Sequence, residues 1–374
     1  MNMELDRSSA GRAGAREADI EARLREDFPY RDGRVYLNSA GAGLPWRGVA
    51  GVAAEHYAQI ARLGADAQPQ WHELAARTRG RVAAMLRVGV DEIAFLRSTT
   101  EVMNLAAASL DWSAGDEVVY PADDFPSVVL PWSSALAAGA HPIAVAVPDE
   151  SSRTDALVDA ITQRTRMVAV THVNATTGTR VDLDRLGDAC RAVDALLVVD
   201  GIEALGAIPV DLARVDVYGS GVFKWLLSGF GTAIGVFRER TAAHLTPAYR
   251  GYANPAPSPR FEYSEPNFPG LAVLDATLAY LDDLGWATVH ERVRMLTDRV
   301  SDIVDSLGLD VVTPASRAGI FSFRVPDAAG LVARLSDRGI DVVAKQGLVR
   351  VSPHVYTSHR DIDRFERALA DAIA

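Results

Sequence analysis

Short apolar runs alternate with helix-like segments between residues 94 and 237. Seven of these runs predict β-strands, at 94–97, 117–120, 142–147, 167–173, 196–200, 216–218 and 233–237. Several are continuously apolar, as in MVAVTHV and LLVVD, which is typical of strands buried on both faces. The alternation of strands and helices favours an α/β fold with a mainly parallel sheet between layers of helices. In such sheets, functional side chains gather at the carboxyl ends of the strands.

The chain changes character after a Pro- and Gly-rich segment at 249–259, which predicts a loop or a domain junction. This segment is followed by a long helical pattern at 269–307, short strands near 310–313, 320–325 and 341–352, and an amphipathic helix at 359–373. These elements predict a smaller α+β domain. We therefore expect an N-terminal arm at 1–30, a large domain at 31–250 and a small C-terminal domain at 251–374.

Composition and charge exclude several classes of protein. Of the 374 residues, 48% are hydrophobic, and the net charge is -11, which disfavours nucleic-acid binding because that depends on basic surfaces facing phosphate. No apolar run is long enough to span a bilayer, and the N-terminus lacks the apolar stretch of a signal peptide, so we expect a cytoplasmic protein with no membrane partner. Cys190 is the only cysteine, which excludes a disulfide framework and a cysteine-rich zinc site. We predict no metal site.

Lysine is almost absent from this chain. Lys224 and Lys345 are the only two lysines among 38 basic residues, so a lysine in an apolar setting suggests chemistry that arginine cannot perform. Formation of an imine with an aldehyde is such chemistry, because a guanidinium stays protonated and is a poor nucleophile. Lys224 is flanked by Phe223 and by the apolar run Trp225-Leu226-Leu227, which argues against the alternative of an ordinary surface lysine.

An aspartate precedes this lysine by 24 residues. Asp200 ends the apolar run LLVVD, and Lys224 lies in the glycine-rich segment GSGVFKWLLSGFG. A pyridoxal enzyme needs both groups, because the lysine amine forms an imine with the cofactor aldehyde and the carboxylate keeps the pyridine nitrogen protonated. Taken alone, Asp200 is equally well explained as a turn residue that follows a strand.

Together these segments resemble the class V aminotransferase family of fold-type I pyridoxal-phosphate enzymes, which includes cysteine desulfurases, isopenicillin N epimerases and cysteine C–S lyases. The family pattern places an Asp after a strand and the Schiff-base Lys further along, commonly followed by Trp-Leu, and Asp200, Lys224 and the next two residues match. The resemblance extends from YLNSAGAGLP at 36–45 to VRVSPHVYTS at 349–358. It implies a large domain with a mainly parallel seven-stranded sheet, pyridoxal 5'-phosphate as cofactor, catalytic roles for Lys224 and Asp200, and a homodimer.

The resemblance also implies further cofactor ligands. Thr99 and Thr100, in FLRSTTEVMN, match the residues that bind the cofactor phosphate at a helix N-terminus, while an ordinary capping box is the alternative. Phe125 matches the aromatic ring that stacks on the pyridine, with core packing as the alternative. Asn174 is the nearest polar candidate for the cofactor oxygen, since the position of a frequent family Asn holds Ala175.

The substrate is expected to bind through Arg350 and Asn38. Arg350, in VRVS, matches the family arginine that holds the substrate α-carboxylate, for which a guanidinium provides two parallel hydrogen bonds. Asn38 belongs to the YLNSAGAGLP segment that carries the N-terminal part of the resemblance.

Several positions depart from the family pattern. Glu203 stands where a Gln commonly binds the cofactor phenolic oxygen, so it is either protonated or directed elsewhere, or the bound cofactor titrates unusually. Ser220 is expected to contact the phosphate, although it lies four residues before Lys224 instead of three. Glu265 replaces a Thr that reaches the phosphate of the neighbouring subunit, so that contact is lost or is remade by Asn267.

The reaction is less well defined by the sequence than the cofactor is. Cysteine desulfurases of this family carry persulfide on a cysteine shortly before the arginine motif, and because this segment has none, we expect that the protein is not a cysteine desulfurase. The leading hypotheses are C–S β-elimination of an S-substituted cysteine and transamination, in specialised metabolism such as antibiotic biosynthesis. Epimerisation and decarboxylation coupled to deamination are alternatives, and a non-catalytic pyridoxal-phosphate-binding partner is the alternative from another class. The sequence contains no GxGxxG motif and no Walker loop, either of which would indicate a nucleotide-binding enzyme.

Overall fold

The computed structural model describes residues 19–29, 33–258 and 260–374. Of the predicted N-terminal arm, residues 1–18 and residue 30 therefore lie outside the described residues, and helix α1 includes residues 19–27. In the part of the chain that is described, no helix combines the length and the apolar character needed to cross a membrane.

Within the described ranges, thirteen strands form three sheets. The strands are β1 (Val35–Tyr36), β2 (Ile93–Leu96), β3 (Glu117–Pro121), β4 (His141–Val145), β5 (Thr165–Thr171), β6 (Leu196–Asp200), β7 (Val217–Gly221), β8 (Ala233–Phe237), β9 (Asp310–Val311), β10 (Phe321–Arg324), β11 (Ile340–Asp341), β12 (Val343–Lys345) and β13 (Leu348–Val351). The central sheet has seven strands in the order β2-β8-β7-β6-β5-β3-β4. All its pairs are parallel except those of β8, which runs antiparallel to both of its neighbours. The predicted α/β fold with a mainly parallel seven-stranded sheet is confirmed.

Helices cover both faces of the central sheet. They are α2 (Gly48–Leu63), α3 (Gln68–Leu86), α4 (Thr99–Ser109), α5 (Pro126–Val129), α6 (Ser133–Ala137), α7 (Arg153–Asp159), α8 (Leu183–Ala192), α9 (Phe268–Leu284), α10 (Trp286–Ser306), α11 (Ala328–Asp337) and α12 (His359–Ile373). Alternate residues of β6 enter two different apolar clusters, with Leu197 and Val199 on the side of α3, α8 and α9, and Leu196 and Val198 on the side of α4. This two-sided burial explains why the strands have no polar face in the sequence.

The C-terminal region forms its own sheet, in the order β12-β13-β10-β9, which packs with α10, α11 and α12 around a separate apolar cluster. The helical pattern at 269–307 proves to be two helices, because Gly285 adopts a φ of 84° between α9 and α10, a conformation that favours glycine. Likewise, the predicted strand at 341–352 divides into β11, β12 and β13.

Several contacts cross the predicted boundary between the domains, and two of them involve whole elements of the fold. Asp275 of α9 lies 3.1 Å from the guanidinium of Arg77 in α3, and β1 pairs in parallel with β11. The region after residue 250 therefore packs against α3 and β1 of the predicted large domain. The division into 31–250 and 251–374 stays a prediction.

Candidate active site

Three strands of the central sheet bring the predicted cofactor ligands to one edge. Asp200 is the last residue of β6, Lys224 follows the end of β7, and α4 begins at Thr99 soon after β2. These strands run in the same direction, so their carboxyl ends meet. They enclose a cavity of about 130 Å³. Its lining comprises Ser98, Thr99, Thr100, Phe125, Ser127, Thr171, Ala175, Asp200, Ile202, Glu203, Phe223 and Lys224.

Asp200 is buried at the base of this cavity, with 2% of its surface exposed. One carboxylate oxygen accepts a hydrogen bond from the Ser127 hydroxyl at 2.6 Å, and the other accepts from the Ile202 backbone N–H at 3.1 Å. Burial raises the pKa of Asp200 to about 6, although both hydrogen bonds and the charge of Lys224 lower it. A cationic group placed against this carboxyl would favour its ionised form.

Lys224 is also buried, and its amine is directed at Glu203. The distance from Lys224 Nζ to Glu203 Oε1 is 2.6 Å, and the Trp225 indole N–H donates to Oε2 at 3.0 Å. Both oxygens of Glu203 therefore have donors from the lysine segment. The structure thus directs Glu203 at the lysine amine and the Trp225 indole, and its contact with the cofactor oxygen stays a prediction.

The N-terminus of α4 forms one wall of the cavity. Ser98 caps the helix by accepting a hydrogen bond from the Glu101 N–H at 3.1 Å, and the Thr99 hydroxyl accepts from the Gly221 N–H at 2.8 Å. The capping contact predicted as the alternative is present, and it coexists with the cavity lining by Thr99 and Thr100. A helix N-terminus that carries hydroxyl groups is a suitable anion site.

Arg350 and Asn38, the two predicted substrate ligands, are in contact with each other. Arg350 Nη2 donates to Asn38 Oδ1 at 3.0 Å, and Nη1 donates to the Ala175 carbonyl at 2.6 Å. The Arg350 Nε is buried and has no hydrogen-bond partner among the described residues. Burial lowers the pKa of this guanidinium, so a nearby anion would stabilise it.

The structure brings together most, but not all, of the predicted cofactor ligands. Six of them line the cavity, namely Thr99, Thr100, Phe125, Asp200, Glu203 and Lys224. The other two lie outside the lining: the Asn174 amide oxygen accepts from the N–H groups of Thr176 and Thr177 at 2.8 and 3.0 Å, and the Ser220 hydroxyl donates to the Gly221 carbonyl at 3.2 Å. The roles of all eight stay predictions.

Two residues outside the predicted set support the cavity. Ser127 orients Asp200, and Asp124 accepts hydrogen bonds from the Thr171 N–H at 2.9 Å and from the Phe125 N–H at 2.7 Å. Burial raises the pKa of Asp124. The acidic pair in PADDFPS was visible in the sequence, but nothing in its spacing indicated which carboxylate turns inward.

Lys345 is the most informative residue that sequence reasoning missed. Its Nζ donates to the Ala175 carbonyl at 3.2 Å, the oxygen that also binds Arg350. It lies 5.6 Å from the centroid of the Phe125 ring. Burial, followed by the charge of Arg350, lowers the pKa of Lys345 to about 8. Lys224 thus lines the cavity, and Lys345 binds the backbone of Ala175, another residue of its lining.

Glu265, the remaining departure from the family pattern, and Asn267, the residue expected to replace it, both have partners within this chain. Glu265 lies 3.7 Å from His72 Nε2, whereas the Asn267 side chain caps α9 and donates to the Gly231 carbonyl at 3.1 Å. Whether Glu265 or Asn267 faces a neighbouring subunit stays a prediction.

The groups in this cavity fit pyridoxal phosphate. A buried primary amine, a buried carboxyl whose pKa is raised, and a hydroxyl-bearing helix N-terminus match the aldehyde, the ring nitrogen and the phosphate, respectively. Asp200, Lys224 and Thr99 are buried, whereas Ser98 and Thr100, at the same helix N-terminus, are exposed.

Comparison with known proteins agrees with this fit. Residues 35–365 match the family model described as Aminotransferase class-V. A probable cysteine desulfurase from Methanothermobacter thermautotrophicus is 25% identical over 93% of this chain and 97% of its own length. An isopenicillin N epimerase from Streptomyces clavuligerus is 31% identical over 75% of this chain and 79% of its own. The solved structure of a cysteine desulfurase from Thermococcus onnurineus NA1 has a TM-score of 0.84 and 23% identity, and covers 94% of this chain and 97% of that one.

These comparisons correct one expectation. The exclusion of cysteine desulfurase is wrong, because proteins with that name are similar to nearly the full length of this chain. The missing cysteine concerns one residue of the family pattern, whereas Lys224, Asp200 and Arg350, which match other parts of that pattern, are present. The absence of one acceptor residue was therefore too narrow a basis for excluding the class.

Proposed function

The chain belongs to the class V aminotransferase family of pyridoxal-phosphate-dependent, fold-type I enzymes that act on amino acids, and we propose that it cleaves the carbon–sulfur bond of cysteine or an S-substituted cysteine. The observation that carries this proposal is the placement of Lys224, Asp200 and the N-terminus of α4 around one cavity. The names of the cysteine desulfurase relatives support a sulfur-containing substrate.

Pyridoxal phosphate, when bound, supplies an electron-withdrawing ring that weakens the bonds at the substrate α-carbon. We assign Lys224 to two tasks, holding the cofactor through its Nζ and moving a proton at the α-carbon. Glu203 Oε1 lies 2.6 Å from Lys224 Nζ. It keeps the amine of Lys224 oriented while the amine is not bound to the cofactor. Asp200, held by Ser127, retains the proton on the ring nitrogen. The hydroxyls of Thr99 and Thr100 bind the phosphate.

Arg350 is assigned to the substrate α-carboxylate. Asn38 and the Ala175 carbonyl fix the two terminal nitrogens of its guanidinium, so the group is held in one orientation before the substrate arrives. A rigid guanidinium restricts how the α-carbon is presented to Lys224. This geometry therefore supports a role for Arg350 in orienting the substrate more than in adding binding energy.

The sulfur is expected to leave to an acceptor other than Cys190. That thiol is fully buried in the core, and burial raises its pKa to about 12, which makes it a poor nucleophile. The cavity does not include it. Free thiol, or sulfide in the presence of a reductant, is therefore the expected second product.

The test is product analysis with the purified holoenzyme and two substrates, L-cysteine with a thiol reductant and S-ethyl-L-cysteine. From S-ethyl-L-cysteine we expect ethanethiol together with pyruvate and ammonia. From L-cysteine we expect either sulfide with pyruvate and ammonia, or alanine with sulfur that the thiol reductant, oxidised to its disulfide, converts to sulfide. A sulfur-containing keto acid would indicate transamination, and loss of optical activity without bond cleavage would indicate epimerisation; either result contradicts the proposal. Lys224→Arg is the matched control, because it keeps a cation beside Glu203 but cannot form the imine.

We further propose a cytoplasmic homodimer that works in specialised metabolism, for example in antibiotic biosynthesis. Light scattering on the holoenzyme should give twice the mass of one chain. Turnover by the holoenzyme, lost in Lys224→Arg, would also exclude a non-catalytic binding protein.

A further inference from the structure

Two cationic side chains converge on one neutral oxygen beside the cavity. Arg350 and Lys345 both donate to the Ala175 carbonyl, at 2.6 and 3.2 Å. They come from the two strands of one hairpin, in which Lys345 of β12 pairs with Leu348 of β13. The backbone pairing therefore fixes the ammonium relative to the guanidinium.

Neither of these cations has a carboxylate within ion-pair distance in the part of the chain that the structure describes. The nearby Glu203 is engaged by Lys224 and Trp225, and the partners of Arg350 are an amide oxygen and a carbonyl. Because partly buried charges are costly without a counter-ion, the two cations favour binding of negative charge. The α-carboxylate of an amino acid supplies one such charge.

We propose that Lys345 forms a second anion site, which binds a carboxylate or similar oxyanion on the side chain of the substrate. This inference rests on the proposed amino-acid substrate and extends it to the class of acidic side chains. The Lys345 ammonium lies 5.6 Å from the centroid of the Phe125 ring, and it donates to the carbonyl of Ala175; both of these residues line the cavity. Lys345 acts here as a specificity residue and takes no part in bond cleavage.

The observations disfavour a simpler use of Lys345. If both cations held the same α-carboxylate, the site would carry one positive charge more than its ligand. A second anion on the substrate balances that charge. The arginine-rich composition also matters, because the chain retains a lysine here and uses arginine at nearly every other basic position.

The experiment measures binding of two dead-end ligands to the holoenzyme by calorimetry. Succinate and its monoamide, succinamate, have nearly the same shape and differ by one charge. We expect the wild-type protein to bind succinate about tenfold more tightly, the effect of one charge-assisted hydrogen bond. Lys345→Gln should abolish this preference, and Lys345→Arg should retain it. Arg324→Gln, which removes an exposed charge from the same sheet, should leave the ratio unchanged.

Two results would overturn the inference. They are a wild-type ratio near one and a ratio that persists in Lys345→Gln. If the ratio persists while both ligands bind more weakly by the same factor, Lys345 binds the α-carboxylate instead. Because the ligands undergo no reaction, the ratio is independent of whether carbon–sulfur cleavage occurs. Turnover of S-carboxymethyl-cysteine against S-carbamoylmethyl-cysteine then extends the same comparison to catalysis.

Discussion

Lys224 and Glu203 form a buried ion pair in which Nζ lies 2.6 Å from Oε1, while Oε2 accepts a hydrogen bond from the indole of Trp225. One carboxylate thus orients two consecutive residues of the lysine segment. The pair has a structural consequence, because removing one partner of a buried pair leaves the other charge without compensation.

A double-mutant cycle on the cofactor-free protein tests this pair. We expect Glu203→Leu and Lys224→Met each to lower the free energy of unfolding by about 3 kcal/mol, and the double variant by clearly less than the sum. Urea unfolding gives the free energy of unfolding of the wild type, the two single variants and the double variant. The exposed pair Arg185 and Asp155, 2.7 Å apart, provides the control and should show no measurable coupling. Additive losses at Glu203 and Lys224 would mean that the ion pair does not form.

Asp200 predicts a pH dependence with a defined sign. Its pKa in the folded protein is about 6, above the ordinary value of 3.8, so the folded state retains the proton longer than the unfolded chain does. The free energy of unfolding should therefore fall as the pH rises from about 4 to about 6, and stay lower above that range. The loss amounts to roughly 3 kcal/mol for a shift of this size.

The variant Asp200→Asn isolates this effect. In the cofactor-free protein, its unfolding free energy should exceed that of the wild type at pH 7 by roughly 3 kcal/mol and match it near pH 4. Ser127 can then accept a hydrogen bond from the new amide. Urea unfolding at the two pH values gives the comparison, and a difference that does not grow with pH would contradict the burial of an ionised Asp200.

The fold could be predicted from the sequence because its signals are local. Each of the seven predicted strands overlaps an observed one, and β6 (Leu196–Asp200) and β8 (Ala233–Phe237) agree at both ends. Continuous apolar runs identify two-sided burial without reference to any distant residue. The junction at Gly285 was missed because the apolar pattern continues from α9 into α10.

Apart from residues such as Arg350 that rest on the family resemblance, the site could be predicted only where a residue follows a strand end. Asp200 and Lys224 are recognisable in this way, since the parallel sheet brings strand ends together. Lys345 is not, because it reaches the cavity through the register of a hairpin in another sheet. Asn174 shows the opposite case. It follows a strand end, but its side-chain oxygen accepts hydrogen bonds from the backbone of the next turn and does not line the cavity.

Arg350 depends on Asn38, and this contact gives a prediction about substrate binding. Asn38→Asp places a carboxylate against the guanidinium, 3.0 Å away in the native contact, where it competes with the substrate α-carboxylate. We expect KM to rise at least about tenfold with a smaller change in kcat. Asn38→Ala, which removes only a neutral acceptor, is the matched control and should raise KM less. Equal effects of the two variants would show that Arg350 does not bind the α-carboxylate.

The preference for a second anion should depend on pH through Lys345. Burial and the charges of Arg350 and Lys224 lower its pKa to about 8, against the opposing charge of Glu203. The ammonium that binds an anion is therefore present below pH 8 and is lost above it, so the tighter binding of succinate than of succinamate should decline between pH 7 and pH 9. In Lys345→Arg the guanidinium stays protonated throughout this range, and the ratio should remain constant. Because both proteins share Lys224, Glu203 and Arg350, titration of those groups cancels in the comparison. A wild-type ratio that is flat across the range, or a decline of equal size in Lys345→Arg, would assign the pH dependence to another group.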